Sequence, residues 1–354
     1  MERTTPPPTP NVPGCALIFE GGGRRGAYTA GFVRVLLEHE IRFSLVCGVA
    51  AGASHAVNYV SRDLRRTRST FVDARSAGLP LGALPSLLHG SGPFAASPFV
   101  ASPLAVSPFA ADSPFEGCME DDGLPFDWDA FTNNPADVRI QAFERDTGRT
   151  LAFGKKDMPN AQALLDLIRA GSTRPGTMRS PAAGDAALLD GGLGKGAGIS
   201  LHLAEEKGFE RFFLVTTRPK GYREQPPTAR ERKAYELVSR DYPYLRNALL
   251  TRWERYNEEL DRAERLAEEG RCLMAYPDVM PVESETLDPA LLRDAYDQGR
   301  HQALRDLPRW RRFLFGSEDG GPQPDPELMR QRVRDADGDD GYITISTGNE
   351  KTED

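Results

Sequence analysis

Residues 15–26, Cys-Ala-Leu-Ile-Phe-Glu-Gly-Gly-Gly-Arg-Arg-Gly, decide the fold of this chain. The first five of them are apolar and stop short of a glycine cluster, which is typical of a short buried strand that feeds a turn. Residues 27–39 then place Ala, Phe, Val and Leu at helical spacing. The sequence therefore starts its folded part with a strand, a glycine turn and a helix.

The same order of elements is repeated directly downstream. Residues 43–47 are a second apolar run, residues 48–52 read Gly-Val-Ala-Ala-Gly, and a helix-compatible stretch continues to Val60. Two such units in succession predict parallel strands joined by crossover helices. The active crevice of such a sheet lies at the carboxyl ends of its strands, where both glycine turns would meet. We therefore expect an α/β fold with a mainly parallel sheet flanked by helices.

Composition limits the classes of protein to which the chain can belong. It has 354 residues, 39% of them hydrophobic, and a net charge of -8. An acidic chain of this kind is not typical of a nucleic-acid-binding protein. No run of about eighteen apolar residues occurs, and residues 1–14 are rich in Pro and Thr without the apolar core of a signal peptide. We expect a cytoplasmic protein with a disordered segment at residues 1–14.

The four cysteines give no sign of a disulfide framework or a zinc site. They are widely spaced, without a C-x-x-C pair, and two of them lie in apolar, strand-like runs where free thiols are commonly buried. The residues are Cys15, Cys47, Cys118 and Cys272.

Changes in composition divide the rest of the chain. The main domain is predicted to span residues 15–220, with a hairpin, a helix and a further strand at 138–153, 161–170 and 211–216. Residues 221–316 are rich in Ala, Glu, Arg and Leu and predict a helical C-terminal subdomain. Residues 317–354 have the composition of an acidic flexible tail.

An irregular insertion at residues 79–128 interrupts the main domain. Ser-Pro recurs there, usually followed by Phe or Leu, without helical or strand periodicity. One interpretation is a lid or a flap that touches a membrane surface, because the segment is apolar yet irregular. The other is a loop that packs its phenylalanines on the body of the protein.

The first glycine turn allows two interpretations. Gly21, Gly23 and Gly26 fit the dinucleotide pattern G-x-G-x-x-G, but Gly48 stands where a ribose-binding acid is expected after the second strand. The alternative is an oxyanion hole, in which the backbone N–H groups of Gly22, Gly23 and Arg24 point at a developing negative oxygen. The side chains of Arg24 and Arg25 would either face solvent or lie near a substrate phosphate.

The second glycine turn has the spacing of a nucleophile elbow. Gly48 and Gly52 flank the centre of a G-x-S-x-G pattern, where a strained turn lifts the central side chain into the crevice. That centre is Ala50 in this chain. Taken alone, the turn is better explained as an ordinary helix that begins with small residues.

A third motif, Asp190-Gly191-Gly192, gives the first two a common meaning. The three motifs occur in the order and spacing of the patatin-like phospholipase family, which the chain resembles from about Cys15 to about Ala303. The resemblance implies the three-layer α/β fold of that family and a Ser–Asp dyad without metal or cofactor. Transferred by position, Ala50 occupies the nucleophile position, Asp190 is the base, and the amide of Ala51 joins the oxyanion hole. The implied substrate is a fatty acyl ester, phospholipid or lysophospholipid. Transient membrane contact belongs to the flap interpretation of residues 79–128, which lie outside the resemblance.

Alanine at position 50 changes the expected chemistry. A methyl group cannot attack a carbonyl, and serine proteases without their nucleophile keep only about 10³- to 10⁴-fold acceleration. We therefore expect hardly any turnover. A deliberate Ser-to-Ala change explains why the other motifs are intact, whereas the alternative is a natural pseudoenzyme that binds lipid or acts as a scaffold. His55 lies more than a turn from Ala50 and Ser54 about 6 Å along the helix, so neither replaces the dyad.

Overall fold

The computed structural model describes residues 9–72, 126–175, 182–183 and 186–337. Most of the 79–128 insertion and Cys118 lie outside this part of the chain, so the lid and flap interpretations stay predictions. No helix in these ranges is both long and apolar enough to cross a membrane.

In the described part of the chain, eight strands form one sheet in the order β5-β6-β3-β2-β1-β7-β8, with β4 paired to β3. Neighbours among β1, β2, β3, β7 and β8 are parallel, whereas β4 and β6 run antiparallel to β3. The strands are β1 Cys15–Phe19, β2 Leu45–Val49, β3 Asp137–Glu144, β4 Thr150–Phe153, β5 Ala182–Ala183, β6 Ala186–Asp190, β7 Arg211–Val215 and β8 Cys272–Ala275. The mainly parallel sheet and the β3–β4 hairpin are confirmed.

Helices cover both faces of this sheet. They are α1 Gly26–Glu38, α2 Ala51–Val60, α3 Leu64–Ser69, α4 Trp128–Asn133, α5 Ala161–Ala170, α6 Leu201–Glu205, α7 Ala229–Val238, α8 Pro243–Leu250, α9 Arg252–Glu268, α10 Pro289–Phe315 and α11 Pro326–Asp337. Short 3₁₀ turns occur at Gly23–Arg25, Lys155–Asp157, Gly191–Leu193 and Lys195–Gly198.

Successive side chains of β1 point to opposite faces of the sheet and belong to two hydrophobic cores. Leu17 and Phe19 pack with α1, α2, α5 and α10 on one face, whereas Ala16 and Ile18 pack with α6 and α9 on the other. This is the side-chain period of two expected for a strand buried on both faces. The three-layer α/β architecture is therefore confirmed.

The helical C-terminal region is confirmed, and it shares the sheet and core of the main domain. It contributes the edge strand β8, which pairs in parallel with β7 and which the sequence analysis did not predict. Trp310 of α10 lies 5.1 Å from Phe213 and 5.5 Å from Phe32, measured between ring centroids. Where α10 crosses α1, a Cβ placed on Gly299 would lie 2.1 Å from the carbonyl oxygen of Tyr28.

The prediction of a flexible tail from residue 317 is wrong for part of its length. Residues 326–337 form α11, which packs near α3 through the buried Val333 and an ion pair between Arg332 and Glu40. A single buried valine and one ion pair give this acidic segment a folded partner that its composition does not reveal. Residues 338–354 lie outside the described ranges.

Candidate active site

Ala50 stands at the sharp turn between β2 and α2. Its backbone has φ 50° and ψ −116°, a left-handed conformation that costs a residue with a Cβ about 1–3 kcal/mol. A Cβ on Gly48 would lie 2.2 Å from the carbonyl oxygen of Gly52, and one on Gly52 would lie 2.2 Å from that of Phe19. The turn therefore has the strained geometry of a nucleophile elbow, and both flanking positions require glycine.

The first glycine turn follows β1 and lies beside this elbow. A Cβ on Gly21 would approach the carbonyl oxygen of Val49 to 3.1 Å and the Cβ of Ala50 to 3.7 Å. Within the described residues, the N–H groups of Gly22 and Gly23 donate to no acceptor. These amides are therefore free for a ligand oxygen.

The backbone N–H of Arg24, also expected in the oxyanion hole, is not free for a ligand. It donates to the carbonyl oxygen of Ser284 at 3.0 Å, so it is already used in this structure. Inclusion of the Arg24 amide in the oxyanion hole is thus incorrect, because a loop from the C-terminal region occupies it. Ala51, the first residue of α2, has an N–H that no intrahelical carbonyl can accept. Gly22, Gly23 and Ala51 remain as candidate donors.

The side chains of Arg24 and Arg25 do not face solvent, since both are about 93% buried. Arg25 lines the cavity described below, its Nε donates to Thr217 Oγ1 at 3.5 Å, and burial lowers its pKa to about 10. The solvent-facing interpretation of these two residues is wrong.

Asp190 is the last residue of β6, and its carboxylate is held by the turn that follows. Gly192 N–H donates to Asp190 Oδ1 at 2.7 Å. Burial raises the pKa of Asp190 above its ordinary value, while the Gly192 hydrogen bond and the nearby Arg174 and Arg252 act in the opposite direction. An aspartate in such surroundings accepts a proton more readily than an exposed one.

The loop after Asp190 is fixed from several directions. Gln141 of β3 donates through Nε2 to the carbonyl oxygens of Gly191 at 2.6 Å and Lys195 at 3.0 Å. Asp190 N–H donates to Thr173, and Gly191 N–H donates to Gly171. A Cβ on Gly191 would lie 2.3 Å from the Gln141 carbonyl oxygen, so this loop needs glycine for a close approach.

The strand register brings Ala50 and Asp190 to one level of the sheet. Val49 pairs with Gln141 of β3, so Ala50 follows at the level of Ala142. Because β4 pairs with Gln141 and Ala142 along the other edge of β3, Asp190, which also pairs with Ala142, lies on the same edge of β3 as β2. No strand therefore separates the two positions, and both residues line the same cavity.

That cavity has a volume of about 340 Å³, within the range of small-molecule sites. Gly22, Gly23, Ala50 and Asp190 line it together. Its charged lining residues are Arg25, Arg174, Arg218, Arg252, Asp190, Glu224, Glu231 and Glu285. Most of them are paired: Arg174 lies 3.1 Å from Glu285, and Arg252 forms an ion pair with Glu224.

The histidines lie outside this constellation. His55 is fully buried in α2, stacks on Phe71 with 4.1 Å between ring centroids, and has its pKa lowered to about 3 by burial. Ser54 is also fully buried. Across the described ranges, no three His, Cys, Asp or Glu side chains come together as a metal site requires.

A comparison with family models decides the group to which the chain belongs. The model described as patatin-like phospholipase matches residues 17–200, more than half of the chain. The chain belongs to the patatin-like phospholipase family. A second model, described as a domain of unknown function (DUF6363), matches residues 242–315 of this patatin-like chain.

Two further comparisons add nothing to this assignment. The comparison with curated proteins gives no match. Among solved structures, the patatin-like chain is similar to that in the crystal structure of VipD from Legionella pneumophila, with a TM-score of 0.39 and 10% sequence identity. The match covers 82% of this chain and 66% of the VipD chain, so this chain spans just under two thirds of that protein.

Three residues of the site were not found by sequence reasoning. Glu20 directly follows β1, and its carboxylate accepts hydrogen bonds from Thr217 N–H at 2.6 Å and the Tyr256 hydroxyl group at 2.8 Å. Gln141 and Ser284 contact the two catalytic loops as described above. Glu20 directly precedes the glycine cluster, and its charge in an otherwise apolar run was the available signal. Gln141 and Ser284 carry no local signal.

Proposed function

We propose that this fold is a lipid acyl hydrolase of the Ser–Asp type, which is disabled in this chain by alanine at the nucleophile position. The observation that carries the proposal is the strained turn at Ala50, which shares one cavity with Asp190 and the unused amides of Gly22 and Gly23. A strained backbone without a reactive side chain has no evident structural purpose.

The mechanism follows from these positions for a chain with serine at position 50. Asp190 accepts the hydroxyl proton while the serine oxygen attacks the acyl carbonyl. The amides of Gly22, Gly23 and Ala51 donate to the oxyanion, where preorganised donors stabilise the developing charge. Asp190 then returns the proton to the departing alcohol, and a water molecule hydrolyses the acyl-enzyme by the same steps.

The substrate in this proposal is a fatty acyl ester, phospholipid or lysophospholipid. The cavity offers arginine side chains on its walls, among them Arg25 and Arg218, which suit a substrate with an anionic group. In this proposal no metal is needed to stabilise the oxyanion, because backbone amides donate hydrogen bonds to it.

The second candidate is a binding protein that holds an acyl ester without turnover. The observation that favours it is Ala50 itself, which keeps the turn and the cavity but removes the nucleophile. Both candidates predict ligand binding by the chain as given. They differ in what happens when serine is introduced.

The test is hydrolysis of short and medium p-nitrophenyl esters by the chain as given, by Ala50→Ser, and by Ala50→Ser combined with Asp190→Asn. The hydrolase proposal predicts a gain of at least roughly 10³-fold in Ala50→Ser, since nucleophile loss in a serine protease costs about 10⁶-fold in kcat. The double change should lose that gain. Silence of folded Ala50→Ser would instead support the binding protein.

A further inference from the structure

Three side chains of helix α9, which lies outside the 17–200 match, contact the segments that form the candidate active site. Arg252 Nη2 donates to the carbonyl oxygen of Ala197 at 2.9 Å. Arg255 Nη1 donates to the carbonyl oxygens of Leu193 at 2.7 Å and Gly194 at 2.6 Å. These acceptors all lie in the loop after Asp190. The hydroxyl group of the third side chain, Tyr256, donates a hydrogen bond to the carboxylate of Glu20, which precedes the glycine cluster.

Arg252 and Asp190 flank the same small residue. A Cβ placed on Gly192 would lie 3.1 Å from Asp190 Oδ1 and 3.8 Å from both Nε and Nη2 of Arg252. Both side chains line the cavity. The guanidinium of Arg252 thus stands over the turn that hydrogen-bonds the Asp190 carboxylate.

Two of the arginines that line the cavity act on the Asp190 carboxylate. Arg174, on the segment after α5, and Arg252 are the cations near Asp190, and each is itself paired, with Glu285 and Glu224 respectively. A buried carboxylate favours its neutral form, and a cation nearby favours the ionised form. A base that must accept a proton has to be ionised before the reaction begins.

We propose that Arg252 is a positioning residue that keeps Asp190 ionised and fixes its loop, so that α9, part of the region matched by the domain of unknown function, completes the active site. The role of Asp190 as base rests on the proposed function. The contact between Arg252 and the Asp190 loop does not depend on it. In this proposal, α9 supplies the second cation near Asp190 and braces the loop that follows it.

The test follows the ionisation of Asp190 directly, in the full chain as given. Aspartate carboxyl carbons are labelled with ¹³C, the Asp190 signal is assigned with Asp190→Asn, and its pKa is measured by NMR titration. Arg252→Met is predicted to shift the pKa of Asp190 upward, because the counter-charge is lost. Arg252→Lys should restore part of the shift. The matched control, Arg255→Met, removes a brace of the same loop and should leave the titration unmoved.

The outcomes separate this inference from the proposed function. An unchanged Asp190 titration in folded Arg252→Met overturns the inference, whether or not Ala50→Ser is active. If Arg252→Met does not fold, the Glu224→Gln variant provides the test. Removal of this carboxylate, which competes for Arg252, is predicted to lower the pKa of Asp190. An unchanged pKa of Asp190 in Glu224→Gln overturns the inference. Where Ala50→Ser is active, the acid limb of its kcat/KM profile should move to higher pH with Arg252→Met and stay in place with Arg255→Met.

Discussion

Gly52 of the elbow packs directly on the carbonyl oxygen of Phe19, at the end of the neighbouring strand. A Cβ at position 52 would lie 2.2 Å from that oxygen. Because the obstacle is backbone, Gly52→Ala is expected to lower the free energy of unfolding by about 1–3 kcal/mol or more. Urea unfolding measures this. The control, Ala163→Gly at a partly exposed position of α5, should cost at most about 1 kcal/mol through helix propensity, and equal losses for the two variants would argue against the close approach.

Asp190 is expected to reduce the stability of the protein at neutral pH. Its pKa is raised in the folded state, chiefly by burial, so folding penalises the ionised form and the penalty disappears once the group is protonated in both states. Asp190→Asn keeps an acceptor for Gly192 N–H and should be more stable than the parent at pH 7. The free energies of unfolding of Asp190→Asn and of the parent should converge as the pH falls below about 4, near the ordinary pKa of aspartate. A less stable Asp190→Asn at pH 7 would count against this interpretation.

Buried histidines are expected to make the fold sensitive to mild acid. Burial lowers the pKa of His55 to about 3 and those of His39 and His202 to about 4. The unfolded chain therefore binds more protons between about pH 6.5 and 4, and stability present above that range is lost as pH falls. His55→Leu should reduce the slope of stability against pH by up to about 1.4 kcal/mol per unit. An unchanged slope in folded His55→Leu would contradict this account.

Glu20 is expected to hold the glycine turn in place. One oxygen of its carboxylate accepts a hydrogen bond from Thr217 N–H and the other accepts one from the Tyr256 hydroxyl group. A glutamine amide has only one acceptor oxygen, so it cannot accept from both donors in this way. In Glu20→Gln one donor loses its acceptor, which costs about 1–3 kcal/mol, whereas loss of a buried charge whose pKa is raised by burial acts in the opposite direction. The expected result is lower ester hydrolysis in an Ala50→Ser background, with a smaller net loss of stability. Tyr256→Phe removes one donor and should cost less. Full stability and activity of Glu20→Gln would show that the carboxylate does not support the turn.

The parts of the fold that were predicted correctly depend on local signals. The strand at Cys15–Phe19, the two glycine turns and the β3–β4 hairpin each follow from apolar runs and turn residues within a short window. Strand β8 was missed because Cys-Leu-Met-Ala, at Cys272–Ala275, contains no β-branched or aromatic residue and lies between helices. Its pairing with β7 stabilises the strand against that weak preference.

The site likewise contains residues with a local sequence signal and contacts without one. Gly22, Ala50 and Asp190 were found because their motifs occur in a fixed order. The contact of Ser284 with Arg24 joins residues that are distant in the chain, and so does that of Arg252 with the Asp190 loop. No local pattern encodes such contacts, which arise only when the C-terminal region packs on the sheet.

Covalent labelling tests the central claim, that position 50 is the nucleophile position of a Ser–Asp hydrolase, most directly. The Ala50→Ser variant and the chain as given are incubated with a p-nitrophenyl alkylphosphonate, and the product is analysed by intact mass and peptide mapping. The account predicts one phosphonyl group on Ala50→Ser, attached at position 50, formed far more slowly when Asp190→Asn is added, and none on the chain as given. No adduct on folded Ala50→Ser, or an adduct at another residue such as Ser54, would contradict it.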